Sequence, residues 1–261
     1  MKWLVRTGVV LLGIVVGLWA VPELKISSGD TVSTTIRYVA LGDSIAHGYG
    51  LTNPREDSYV GQVENYLENY YDYVITANFG TDGLRSGELL DILINPENEF
   101  HNKYAATLKY ADIVTVSVGS NDLLRLLRLD IDIQEYIARG DVMFRDACQT
   151  FDENFPKIIE AIKRVAPAAK IYADNVYNPC HGLGKYENLY EKAEYYIDML
   201  NQTFIKGSGY TLVDIKSGFE NSEEKLVNMA FKGREFDPHP NKKGHLLIGQ
   251  LVIKAIQAKG F

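Results

Sequence analysis

IRYVALGDSIAHGYG, residues 36–50, decides how the rest of the chain is read. Its first half, IRYVAL at 36–41, is rich in β-branched and aromatic residues, which suit a pleated strand. The strand stops at Gly42, and Asp43-Ser44 are residue types that make turns and helix caps. The same unit recurs outward from there. DYVITANF at 72–79 ends at Gly80, and DIVTVSV at 112–118 ends at Gly119. KIYADNVY at 170–177 and the shorter YTLVDI at 210–215 complete five predicted strands. Helical periodicity fills the gaps. SYVGQVENYLENYY at 58–71 follows Asp57, a plausible N-cap, and sets Val60, Val63 and Leu67 on one stripe. NFPKIIEAIKRVA at 154–166 has Phe155, Ile158, Ile159, Ile162 and Val165 on one face and stops at Pro167. A helix over 186–206 carries Leu189, Ala193, Ile197, Leu200 and Phe204, and HLLIGQLVIKAIQ at 245–257 closes the chain. Apolar strands alternating with amphipathic helices predict an α/β fold: a parallel sheet covered by helices on both faces, hence three layers.

With 261 residues, 46% of them hydrophobic and 23% charged, one domain over 36–261 can bury a large core without disulfides. The net charge of −7 and the lack of a long basic run argue against nucleic acid as a partner. Lys2 and Arg6 precede the uncharged run Thr7–Pro22, the pattern of a secretory signal or an uncleaved N-terminal membrane anchor over 1–22. Either would put the domain outside the cytoplasm. Residues 23–35 are polar and small, and read as a linker. Cys148 and Cys180, the two cysteines, are either a pair or two buried thiols.

Four blocks fall where an open α/β sheet binds ligands, three of them beyond the carboxyl ends of its strands. They are Gly42-Asp43-Ser44, Asn78-Phe79-Gly80, Gly119-Ser120-Asn121-Asp122 and, before the last helix, Asp237-Pro238-His239-Pro240-Asn241. Each alone is weak, but together they hold the parts of a nucleophilic hydrolase. A serine hydroxyl needs a base to take its proton, and histidine is the usual base near neutral pH. Attack on an ester carbonyl leaves negative charge on oxygen, so donors must already point there. The backbone N–H groups of Ser44 and Gly80 and the amide of Asn121 are candidates. Asp43 is expected to brace its loop, Asp122 to cap the following helix, and His47 and His245 to be surface and structural histidines.

In these blocks the chain resembles the SGNH/GDSL hydrolase superfamily. GDSIAHGYG at 42–50, VGSND at 118–122 and DPHPNKKGH at 237–245 carry the resemblance most specifically, and it spans 36–257. The resemblance implies a flavodoxin-like five-stranded parallel sheet, and hydrolysis of carboxylic esters through an acyl-enzyme without a cofactor. It assigns Ser44 as nucleophile, His239 as base, and Ser44, Gly80 and Asn121 to the oxyanion hole. One departure stands out. The family places its acid three residues before the histidine, where this chain has Phe236. Asp237 is the favoured partner of His239, since one proline of fixed φ separates them. Glu235 and a backbone carbonyl are the alternatives.

No G-x-S-x-G elbow, Walker A or H-E-x-x-H sequence is present. The spacing of Asp237, His239 and His245 matches no metal motif. Two substrate classes stand level: a lipid acyl ester, suited to the leucine-rich 123–143 if that segment lines a groove, and an acetyl group on a polysaccharide, suited to the extracytoplasmic location and to some of the seventeen tyrosines. A catalytically silent binding domain on the same fold is the reading from another class.

Overall fold

The computed structural model describes residues 34–127, 133–181, 187–228 and 237–260. The expected signal or anchor at 1–22, most of the linker at 23–35, and both Glu235 and Phe236 lie outside the described residues. Along the chain the elements are β1 (Thr35–Gly42), α1 (Ser44–His47), α2 (Pro54–Asp57), α3 (Tyr59–Leu67), β2 (Tyr73–Gly80), α4 (Ser86–Ile94) and α5 (His101–Leu108). Then come β3 (Ile113–Ser117), α6 (Ser120–Leu124), α7 (Ile133–Val165), β4 (Lys170–Asp174), α8 (Glu187–Lys206), β5 (Thr211–Val213) and α9 (Ile215–Glu220). A short β6 (Val227–Asn228), β7 (Asp237–Pro240) and α10 (Lys242–Gln257) end the domain.

β1 to β5 form one sheet in the order β2-β1-β3-β4-β5, and every neighbouring pair is parallel. Because successive side chains on a strand point to opposite faces, one strand feeds two cores. Val39 and Leu41 of β1 join Val114 and Val116 of β3 under α4, α5, α7 and α8. Tyr38 and Ala40 join Ile113 and Tyr172 under α1, α3, α9 and α10. The three-layer α/β/α arrangement read from the sequence is therefore the observed one. The chain leaves β1 toward β2 on one side and returns to β3 on the other, so β1 and β3 flank the switch point. Ligands of such sheets bind in the crevice there.

Some helices differ from the sequence reading for local reasons. The helix expected at 58–71 is capped by Ser58, whose hydroxyl accepts the Gly61 N–H, and not by Asp57, which ends α2. The helix expected at 245–257 begins at Lys242, because the Asn241 side chain accepts the N–H groups of Lys243 and Gly244. The helix expected at 154–166 is the second half of α7, which runs through Pro156 from Ile133. Residues 81–110, where no element was expected, supply α4 and α5. Cys148 and Cys180 are buried free thiols.

Candidate active site

Ser44 is the first residue of α1, immediately after β1. Its Oγ lies 2.9 Å from His239 Nε2, across 195 residues of sequence. On the other side of the ring, Nδ1 hydrogen-bonds to Asp237 Oδ1, which also accepts the backbone N–H of His239 at 3.2 Å. The two-residue spacing works because Asp237–Pro240 is strand β7, where residues i and i+2 share a face. A carboxylate three residues back would point the other way on such a strand. Ser44, Asp237 and His239 are all buried, Asp237 at 1% exposure. Tyr49 packs on the imidazole with ring centroids 4.4 Å apart, and Tyr177 Oη donates to the Pro238 carbonyl at 2.6 Å. The histidine strand is thereby held from both sides.

Asn121, in the first turn of α6 after β3, reaches the same place. Its Nδ2 donates to Asp43 Oδ2 and to the Leu84 carbonyl, both at the long distance of 3.2 Å. Asp43 caps α1 by accepting the Ile45 N–H at 2.9 Å. Burial, with Asp174 nearby, pushes its carboxyl up to about 8. Asp174 is likewise pushed up to about 7 by burial, and its Oδ2 accepts the Ser117 hydroxyl at 2.7 Å. The Ser117 carbonyl also accepts the Asp43 N–H, so β3 links the two buried acids.

Gly80 does not join this group. Its N–H is already donated to Asn78 Oδ1 at 2.8 Å, and a Cβ there would sit 2.2 Å from the His47 nitrogen. The glycine is needed so that the end of β2 can touch the backbone of α1. Asn78 completes that brace by donating Nδ2 to the Ala46 carbonyl at 2.7 Å. The assignment of Gly80 as a donor is therefore corrected. Gly83, which the sequence reading did not weigh, is the third residue of the turn Thr81–Leu84, closed by Leu84 N–H to Thr81 O at 3.1 Å. Its φ of +79 is the left-handed value a type II turn demands at that position. Its N–H donates to no group among the described residues, and the next carbonyl, that of Leu84, faces Asn121. The Asp-Gly dipeptide at 82–83 was the available signal.

The remaining candidates have structural partners. His47 is exposed and pairs with Asp82 at 2.7 Å, tying α1 to the Gly83 turn. His245 is fully buried in α10, its Nδ1 facing the Tyr59 N–H at 3.4 Å. Burial pulls its pKa down to about 4, so it is a neutral packing residue near neutral pH. Asp122 caps α4 rather than its own helix, accepting both the N–H and the hydroxyl of Ser86.

A cavity of about 120 Å³ opens beside Ser44, Asn121 and His239. Its other walls are mostly apolar: Leu123 and Leu124 of α6, Phe144 of α7, Val176 and Pro179 after β4, and Ala193, Tyr196 and Ile197 of α8. The leucines at the start of segment 123–143 do line the site.

A model of the GDSL-like lipase/acylhydrolase family matches residues 40–247. Among curated proteins the chain is similar to the uncharacterized protein YpmR of Bacillus subtilis, 27% identical over 85% of this chain and 81% of the relative. It is also similar to the spore germination lipase LipC of Bacillus licheniformis, 23% identical over 87% of this chain and 97% of the relative. Among solved structures it resembles the lipase Lip_vut3 from a goat rumen metagenome, with a TM-score of 0.67 and 22% identity over 84% of this chain and 97% of that one. The extracellular lipase of Streptomyces rimosus gives 0.61 and 18% over 84% and 99%.

Proposed function

The chain belongs to the GDSL-like lipase/acylhydrolase family, and from that premise we propose that it hydrolyses carboxylic esters of lipid acyl chains through an acyl-enzyme on Ser44. The carrying observation is the relay Ser44 Oγ, His239 Nε2, His239 Nδ1, Asp237 Oδ1 at the mouth of an apolar cavity. His239 takes the serine proton as Oγ attacks the carbonyl carbon. Asp237 holds the ring in the tautomer that leaves Nε2 free and stabilises the imidazolium that forms. The oxyanion is met by the N–H groups of Ser44 and Gly83 and by Asn121 Nδ2, which gives up one of its two long bonds to do so. His239 then returns its proton to the leaving alkoxide, the alcohol departs, and water, deprotonated by the same nitrogen, cleaves the acyl-enzyme.

The cavity favours an acyl chain over an acetylated sugar. Nearly all of its lining is apolar, whereas a carbohydrate needs polar partners for each buried hydroxyl. Each methylene entering it contributes about 0.8 kcal/mol. No cofactor or metal enters this mechanism. Residues 1–22 are proposed to place the domain outside the cytoplasm, as signal or anchor, which fractionation of the native host would test.

The test is a panel of p-nitrophenyl esters from acetate to palmitate, run beside acetylated xylan, on wild type and Ser44→Ala. Serine-dependent turnover that rises from acetate to the medium chains is expected. A preference for acetate or acetylated xylan would overturn the substrate class, and turnover retained in Ser44→Ala would overturn the nucleophile.

A further inference from the structure

Two aromatic rings bound the cavity where α7 meets α8. Phe144 and Tyr196 stack with centroids 4.7 Å apart and planes at 22°. Both line the same cavity as Ser44 and His239. Tyr196 is held by its hydroxyl and by its backbone. Its hydroxyl donates to Asp141 Oδ1 on α7, and its backbone carbonyl faces Cys148 Sγ at 3.5 Å. Asp141 is in turn fixed by Arg145, whose Nε reaches Oδ2 at 2.7 Å. Arg145 Nη2 then donates to the hydroxyl of Tyr195 at 2.6 Å. Asp141 and Arg145 are largely exposed, with side chains 61% and 48% accessible. The stacked pair therefore separates the cavity from a polar bracket at the surface. Aromatic rings without freedom to rotate make a hard stop, since a packed wall resists overfilling.

We propose that Phe144 and Tyr196 form the closed end of the acyl pocket and set the length of chain accepted, with Asp141 and Arg145 as positioning residues that hold Tyr196 in place. This rests on the acyl-ester reading above. Chain length then has an optimum, because methylenes gain from burial only until the chain end meets this wall.

Two readouts test this. The first is kcat/KM for p-nitrophenyl esters from butyrate to palmitate. The second is calorimetric affinity of Ser44→Ala protein for sodium octanoate, decanoate, laurate and myristate, which needs no chemistry. With the pocket wall unaltered, both should rise by about fourfold per methylene up to the optimum and then level or fall. Phe144→Ala removes the ring from the wall and should move the optimum to longer chains. Phe144→Trp should move it shorter. Tyr196→Phe and Asp141→Ala release the ring from its bracket, and should raise the ratio of myristate to octanoate hydrolysis several-fold. If ester cleavage persists with the wild-type optimum in every variant, the proposal falls and the esterase reading stands. If no ester is cleaved yet fatty acids bind with the shifted optima, the pocket assignment stands and the esterase reading falls. Neither cleavage nor binding overturns both.

Discussion

Replacing Asp237 by Asn removes one charge at the core of the relay with little change of shape. The carboxylate is 1% exposed, and its Oδ1 takes both the ring and the backbone N–H of His239. The backbone N–H fixes the orientation of the new amide: turned the other way, its NH₂ would face a donor. The amide oxygen thus stays on Nδ1, and the tautomer with Nε2 free for Ser44 is kept. What is lost is the attraction between a full negative charge and the imidazolium of the transition state. Two unit charges about 4 Å apart interact by about 4 kcal/mol at an effective dielectric constant of about 20. A neutral hydrogen bond of about 0.5–1.5 kcal/mol remains in its place. The net loss of about 2.5–3.5 kcal/mol lowers kcat between about 70-fold and 400-fold. This is less than the roughly 10⁴-fold loss that follows an enforced wrong tautomer. The assay is kcat for p-nitrophenyl octanoate, with circular dichroism to show an intact fold. A loss below about threefold would refute Asp237 as the partner of His239. A loss near 10⁴ would refute the argument that the backbone N–H orients the amide.

Asn121→Ala should lower kcat by about 10²–10³ with KM little changed, since its donor strengthens only as the oxyanion forms; a change confined to KM in steady-state kinetics would reassign it to substrate binding. Gly83→Asn, which tolerates positive φ, should stay within about tenfold of wild type, whereas Gly83→Val, strained there by its β-branch, should lose more than about a hundredfold; equal kcat values would take Gly83 out of the oxyanion hole. The raised carboxyls of Asp43 and Asp174, at about 8 and about 7, bind more protons folded than unfolded above the ordinary carboxylate range, so their contribution to stability falls as pH rises. His245, lowered to about 4, opposes this only below about 6.5, its unfolded value. Thermal unfolding should therefore show Tm falling from pH 6.5 to 8, and Asp174→Asn should flatten that slope; an unchanged slope would contradict the assignment.

The layers and the parallel order were legible because β1, β3 and β4 are apolar runs bounded by glycine or polar turns, and because α3 and α10 keep clean helical stripes. Ser44, Asn121 and His239 were legible for a different reason: Ser44 and Asn121 follow the ends of β1 and β3, His239 lies in a proline-flanked block before the last helix, and their residue types fit one chemistry. Two glycines lie three residues apart, one ending β2 and one in the turn after it, and the sequence alone does not tell their roles apart. Only the backbone distinguishes Gly80, packed on α1, from Gly83, turned to positive φ. Asp237 was favoured for the stiffness of the proline, yet the geometry comes from the strand. Its pairing with β6 is antiparallel and irregular, and leaves little pattern in four residues. The closed end of the pocket was illegible, because Phe144 and Tyr196 are about fifty residues apart and meet only through the packing of α7 on α8.

The central claim is that His239 activates Ser44 for attack, and a fluorophosphonate probe followed by intact-mass and peptide mapping tests it most directly. The expected result is one adduct per chain, on Ser44, formed rapidly in wild type and at least about 10³-fold more slowly in His239→Ala. An unlabelled Ser44 in folded wild-type protein, or labelling as fast without His239, would contradict the account.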